Sequence, residues 1–317
     1  MTTSTSPHQS EDTFRHEALL YSGRDEFVAR TSDFIRASGR AGEPILVVVS
    51  AEKIRLLRSA LGEDADAVLF ADMVEMGQNP ARIIPAWRSF VEDHAGAGRR
   101  FRGIGEPIWA SRRPEELIES QHHETLLNVA FGDAPAWWLL CPYDTASLAP
   151  DVIEEAHRSH RFIWGAAGHQ PSGGCGRPIT APFDGPLPEP PMASAEVAFN
   201  AGSLGLLRDV VSGHAAIAGL AGNETAALVL AVNEVATNSI RHGGGRGTMR
   251  VWRDTDTLVC EVRDQGHIRR PLAGRERPAD DQESGRGLWL VNQLCDLVQI
   301  RTSAAGTTVR LHMRRSR

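Results

Sequence analysis

Residues 223–245 read NETAALVLAVNEVATNSIRHGGG, and the spacing within this stretch decides the fold of the last third of the chain. Leu228, Val232, Val235 and Ser239 recur at three- and four-residue intervals, the period of one buried helix face. Asn223 fits an N-cap, and the triple glycine from Gly243 supplies a helix stop. Glu234, Asn238, Arg241 and His242 fall at i, i+4, i+7 and i+8, on one polar face. A polar stripe on a helix is usually a solvated face, so its meaning depends on what surrounds it.

Downstream, Thr248–Arg253 and Thr257–Asp264 read as strands joined at Asp254-Thr255-Asp256, a hairpin signal. The second strand ends in Asp264-Gln265-Gly266, which is either a plain turn or a placed carboxylate with a glycine clearing space beside it. The polar stretch Gln265–Ser284 is too long for an ordinary connection and reads as a mobile functional segment. It ends in Gly285-Arg286-Gly287-Leu288, ahead of an apolar helix over Leu288–Leu294. Glycines at a helix start let backbone N–H groups and the positive end of the dipole meet an anion, although a lone GxG reads equally well as a flexible loop end. Two strands, Leu297–Thr302 and Thr307–Met313, close the chain around Gly306-Thr307-Thr308.

Each element has an ordinary explanation; their order and spacing do not share one. Glu-x-x-x-Asn on a helix, Asp-x-Gly after a strand, GxGL before a helix and GTT in a hairpin together resemble the GHKL ATPase family. Within it, the pattern over about Glu196–Met313 is similar to the anti-sigma factor serine kinases. The resemblance implies an α+β sandwich that binds ATP with Mg²⁺. It implies Glu234 as the general base toward a serine hydroxyl and Asn238 as the metal ligand. Asp264 would accept from the adenine amino group with Gly266 beside it, while Gly285, Gly287 and Leu288 would approach the phosphates. Thr308, or Thr307, would support the adenine, and His242 would contact the nucleotide or cap its helix. The family's loop often runs Asp-x-Gly-x-Gly, whereas here Ile268 replaces the second glycine. That departure bears on loop geometry and phosphotransfer more than on ATP binding.

Upstream, residues 165–195 are rich in proline and glycine and read as a linker. It separates an amino-terminal domain, residues 14–164, from a carboxy-terminal domain, residues 196–317, with residues 1–13 a disordered tail rather than a secretory signal. In the amino-terminal domain, strand-like runs at residues 44–49, 68–70 and 137–141 alternate with helical patterns at 27–38, 53–61, 81–94, 114–131 and 151–162. Alternation of this kind predicts an α/β domain with a mostly parallel sheet. Lys53, the only lysine, follows the first strong strand, but Ser50-Ala51-Glu52-Lys53 has no glycine to cradle a phosphate and reads as a surface helix start.

His16-x-x-Leu19-x-Tyr21, Gly105-Glu106-Pro107, Glu124-x-x-Leu127-Asn128 and Cys141-Pro142-Tyr143-Asp144 resemble the MEDS sensory domain over about Phe14–Trp164. The resemblance implies a RecA-like fold without a working P-loop, and an unidentified sensory ligand. His16, Tyr21, His122, His123, Glu124 and Cys141 are candidates to line that ligand site or to bind a metal. His16-Glu17 lacks the following basic residue and proline of a phospho-acceptor histidine, which argues against a sensor histidine kinase.

A net charge of −6 argues against a nucleic-acid coat, and the basic end Arg314-Arg315-Ser316-Arg317 reads as a solvated tail. No apolar run reaches the roughly eighteen residues of a membrane span. The scattered Cys141, Cys175, Cys260 and Cys295 fit neither a zinc cage nor a disulfide scaffold. The expectation is a cytoplasmic, signal-responsive kinase that phosphorylates an anti-anti-sigma protein or sequesters a sigma factor, its oligomeric state (a homodimer included) left open. The alternative is an ATP-dependent binding switch without phosphotransfer.

Overall fold

A computed structural model describes residues 13–95, 100–173, 185–190, 195–279 and 285–316. The chain divides into two compact units, residues 1–179 and 180–317.

The first unit alternates strand and helix: β1 (Arg15–Tyr21), α1 (Gly23–Ala41), β2 (Ile45–Val49), α2 (Ala51–Leu61), β3 (Leu69–Asp72), α3 (Met73–Gly77), α4 (Ile83–Ala95), β4 (Phe101–Gly105), α5 (Pro114–Ala130), β5 (Trp137–Asp144), α6 (Pro150–Ser159), β6 (Phe162–Gly165) and β7 (Gly168–Pro171). The sheet order is β3-β2-β4-β5-β1-β6-β7, parallel except for β7, which runs antiparallel to β6. The expected mostly parallel α/β sheet is present. Strand β7 falls inside the stretch whose composition reads as linker.

Among the strands that escape a reading by apolar runs, β4 and β1 each do so for a visible reason. In β4 the sequence Phe101-Arg102-Gly103-Ile104-Gly105 is broken by glycines that make room for Trp87. A Cβ at Gly103 would lie 2.8 Å from the Trp87 ring, and one at Gly105 would lie 3.0 Å from it. In β1, His16 and Glu17 are buried at 1% and 0% exposure, so polar residues occupy positions where a buried strand normally carries apolar ones. Helix α6 stops at Ser159 rather than running to Phe162, because His160 is extended (φ −108°, ψ 139°) and leads into β6.

The second unit contains β8 (Ala195–Asn200), α7 (Leu204–Ala218), α8 (Gly222–His242), β9 (Arg246–Asp254), β10 (Thr257–Asp264), α9 (Arg286–Leu294), β11 (Leu297–Ser303) and β12 (Gly306–Arg314). Its sheet, ordered β11-β12-β10-β9-β8, is antiparallel throughout. The three helices contribute Leu207, Val211, Leu228, Val232, Val235 and Val291 to a core completed by Met249, Val251, Cys260, Val262, Val309 and Leu311 from the sheet. This is the expected α+β sandwich, one helical layer on one sheet face. On the other face Arg310 pairs with buried Glu261 at 2.6 Å and lies over Trp252.

Two local expectations change. Helix α8 begins at Gly222 with Ala221 as its N-cap, and Glu224 accepts the Ala221 N–H at 2.7 Å, so Asn223 is not the cap. The carboxy-terminal tail is also tied down: Ser316 donates from its backbone (2.8 Å) and its hydroxyl to Glu224. Among the described residues, no helix is long and apolar enough to cross a membrane.

Candidate functional site

Helix α8 turns Val235 and Ser239 into the core and leaves Glu234 and Asn238 half-buried beside them, with Arg241 and His242 exposed at its end. The helix stops against the end of β10. The Ser239 hydroxyl donates to Asp264 Oδ2 at 2.5 Å, and the Gly266 N–H donates to Asp264 Oδ1 at 2.7 Å. Both carboxylate oxygens are thereby fixed by donors, and each keeps a further lone pair. Gly243 permits the approach: a Cβ there would sit 2.6 Å from Asp264 Oδ1 and 2.7 Å from the Ser239 carbonyl oxygen. At Gly266 a Cβ would lie 2.9 Å from both Asp264 Oδ1 and the His242 carbonyl oxygen.

Thr307 sits opposite Asp264 in the β10–β12 register. Its hydroxyl donates to the Gly266 carbonyl at 2.7 Å and lies 2.8 Å from the Thr302 hydroxyl. Thr302 in turn accepts the Ile268 N–H at 3.3 Å, which pins the loop where the sequence departs from Asp-x-Gly-x-Gly. The loop's continuation is anchored by Asn292, which donates to the Gly274 carbonyl at 2.9 Å. Residues 280–284, the remainder of the segment expected to be mobile, lie outside the described residues.

A cleft of about 200 Å³ opens between these elements. Asn238, His242, Asp264, Gly266, Gly285, Gly287, Leu288 and Thr307 all line it, over an apolar floor that includes Val235, Ile268 and Val309. Thr308 does not; on β12 it sits opposite Arg263 of β10 and Arg301 of β11, one residue out of phase with Thr307. Glu234 stands just beyond the lining. A Cβ on Gly287 would lie 3.1 Å from Glu234 Oε2 and 3.2 Å from Asn238 Nδ2, so both side chains end against the start of α9. Gly285, left-handed at φ 89°, is the N-cap of α9 and offers no side-chain cap. Ser239, a core position by its spacing, Gly243, a helix stop by its composition, and Thr302 also support the site, through contacts made across the fold.

Residues 197–313 match the family model described as a histidine kinase-like ATPase domain. Residues 15–161 match the model described as MEDS, the methanogen/methylotroph, DcmR sensory domain. The chain joins a MEDS domain to a histidine kinase-like ATPase domain. No curated protein matches it. Among solved structures, the RsbU and RsbW domains of Rv1364c from Mycobacterium tuberculosis match at 19% identity and a TM-score of 0.29, over 39% of this chain and 33% of that one.

In the MEDS domain the sequence candidates separate into groups. His16, Glu124 and Cys141 converge, joined by His160, which sequence reasoning did not select. Burial, reinforced by His160, holds the His16 ring down to about 4, and burial pushes the Cys141 thiol well up. Tyr21 belongs elsewhere: its hydroxyl donates to Glu106 at 2.9 Å. His122 faces Glu119 at 3.8 Å, and His123 is buried outside the cluster. Lys53 is more than a surface helix start. Its ammonium reaches the Tyr21 hydroxyl at 2.6 Å, pairs with Glu106 and lies over Phe27. Burial raises the Glu106 carboxyl, and Lys53 opposes that shift.

Proposed function

We propose that the ATPase domain binds Mg·ATP in the cleft and transfers phosphate to a serine of a small anti-anti-sigma protein, under control of the MEDS domain, in the cytoplasm. The observation that carries the reading is Asp264, a carboxylate held at both oxygens in a cleft it shares with Asn238, Gly287 and Thr307. A fixed acceptor over an apolar floor suits the exocyclic amine and flat face of adenine. Space at Gly287, which a Cβ would fill, suits phosphate oxygens close to the start of α9. Mg²⁺ held by Asn238 Oδ1 would neutralise charge on the phosphates.

Glu234, one turn before Asn238, would take the proton from the attacking serine hydroxyl. The serine oxygen then bonds the γ-phosphorus as the bond to the leaving ADP breaks. The resemblance to anti-sigma factor kinases supports this substrate class, and the mostly parallel MEDS sheet supports a RecA-type reading of the amino-terminal fold. Ile268, tied to Thr302 in place of a second loop glycine, favours a second reading: ATP shapes a partner surface without phosphotransfer.

Transfer of labelled γ-phosphate to a co-purified partner separates the two. Glu234→Gln keeps the shape and removes the base, so it should retain ATP and partner binding while the transfer rate falls roughly 10²–10⁴-fold. Wild-type protein that binds its partner in an ATP-dependent way but transfers no phosphate contradicts the kinase reading and supports the switch.

A further inference from the structure

Four side chains from four elements of the MEDS domain meet in its interior. His16 on β1 and Cys141 on β5 share one sheet face, because Cys141 registers with Ala18, two residues beyond His16. Glu124 projects from α5, and His160 is the first residue past α6. His16 Nε2 lies 3.0 Å and His160 Nε2 3.1 Å from Glu124 Oε2, and Cys141 Sγ lies 3.4 Å from His16 Nε2. The four potential ligand atoms are all within 4.8 Å of one another. All four residues are buried, at 0–1% exposure.

The hydrogen bonds behind the cluster fix where the ring protons sit. The Asn128 amide donates to the Ser159 carbonyl at 2.7 Å, which turns its Oδ1 toward His16 Nδ1 at 3.2 Å. His160 Nδ1 lies 2.9 Å from the Ala156 carbonyl. A carbonyl oxygen can only accept, so each ring has a proton on Nδ1, and a ring holding that one proton presents its Nε2 lone pair to the cluster. They face a carboxylate that is itself only an acceptor. His160 Nε2 and Glu124 Oε2, 3.1 Å apart, need a cation or a proton between them, and among the described residues Glu124 Oε1 has no hydrogen-bond partner. Acceptors aimed at acceptors in a buried space call for a cation at the centre.

We propose that His16, Glu124, Cys141 and His160 form a four-ligand site for a borderline divalent transition metal, with zinc the best match. Two imidazoles, one thiolate and one carboxylate are a donor set that zinc accepts in tetrahedral geometry. Bonds of about 2.0–2.3 Å would set tetrahedral ligand atoms roughly 3.3–3.8 Å apart, inside the span from 3.0 Å to 4.8 Å that the four ligand atoms already cover. Thiolate and carboxylate together balance a dication, leaving the buried site neutral. Asn128 and the Ala156 carbonyl are the outer partners that orient the rings. With every position taken by protein, the ion clamps β1 and β5 to α5 and the end of α6 rather than activating water. The inference is independent of the ATPase reading.

The test uses the full chain, purified under reducing conditions, with elemental analysis and cobalt substitution. Wild type should carry about one zinc per chain, as a single closed four-ligand site requires. Its cobalt form should show a thiolate-to-cobalt charge-transfer band, which Cys141→Ser abolishes and His122→Gln leaves intact. Asn128→Ala should lower zinc affinity roughly 10–100-fold in competition with a chromophoric chelator. If Cys141→Ser fails to fold by circular dichroism, the wild-type cobalt spectrum and the Asn128→Ala affinity still decide. Folded wild type that takes up neither zinc nor cobalt overturns the proposal, as does a cobalt spectrum without a thiolate band.

Discussion

The Ser239 hydroxyl on α8 donates to Asp264 Oδ2 on β10 at 2.5 Å, linking the helix that carries Glu234 and Asn238 to the strand that carries the proposed base acceptor. The bond fixes Asp264 before any nucleotide arrives. Ser239→Ala removes the donor and leaves Gly266 N–H as the one remaining donor described to that carboxylate. Calorimetry should show ATP affinity weakened by about 1 kcal/mol, roughly fivefold. Thermal unfolding should show a modest loss of stability in the same variant.

Gly243 is where α8 closes on Asp264. A Cβ there would meet Asp264 Oδ1 at 2.6 Å and the Ser239 carbonyl at 2.7 Å, and the backbone atom cannot swing aside as a side chain could. Gly243→Ala should therefore displace Asp264, with an overpacking cost of roughly 1–3 kcal/mol in thermal or denaturant unfolding. ATP binding should fall far more than in Gly213→Ala on α7, whose Cβ position meets nothing within 4 Å. Equal binding by the two variants would remove Gly243 from the account.

Much of this site is legible in the sequence because it lies on strongly periodic elements. The helix period over Leu228, Val232 and Val235 and the alternation in β10 and β12 set which faces are buried. Choosing Thr307 over Thr308 required the β10–β12 register, since adjacent strand residues point to opposite faces. Strand β8 and helix α7 carry little signal in the sequence: β8 is short, with one buried residue, and α7 contains Gly205 and Gly213. In the MEDS domain, β4 is hidden by the glycines that admit Trp87. His160 belongs to no spacing motif and meets Glu124 only through the fold.

Glu224 ties the tail to the start of α8 and gives the ATPase domain an acid-sensitive contact. The Ser316 hydroxyl first, then the backbone N–H groups of Ala221 and Ser316, hold its carboxyl below the usual carboxylate range. A folded-state value below the unfolded one means this stabilisation is complete above the ordinary carboxylate pKa and fades as pH falls through the lowered value. Glu224→Gln should lower Tm at neutral pH, and the gap to wild type should narrow once the pH drops below the carboxylate range. A gap that persists unchanged in acid would show that the contact does not depend on charge.

The proposed linker is testable by limited proteolysis. Gly168–Pro171 forms a strand with β6, while Glu189 pairs with Arg250 and Arg263, and the Pro188 carbonyl accepts from Arg310. The proline- and glycine-rich stretch between these anchored points is the expected first cleavage site. The carboxy-terminal fragment should remain folded and bind ATP. A fragment that unfolds would show that the two units share stabilising contacts.

The central claim is that the cleft at Asp264 holds adenine, and calorimetric titration of Mg·ATP into wild type and Asp264→Asn tests it most directly. Gly266 N–H is a fixed donor and keeps the asparagine oxygen on its side, so the new amide group takes the position of Oδ2. Ser239 can turn its hydroxyl to the Val235 carbonyl, 3.2 Å away, leaving a donor where the base amine needs an acceptor. The mismatch should cost about 1–3 kcal/mol, roughly a five- to 150-fold loss of affinity, with the thermal stability of the domain nearly unchanged. ATP affinity in Asp264→Asn equal to that of wild type would contradict the account.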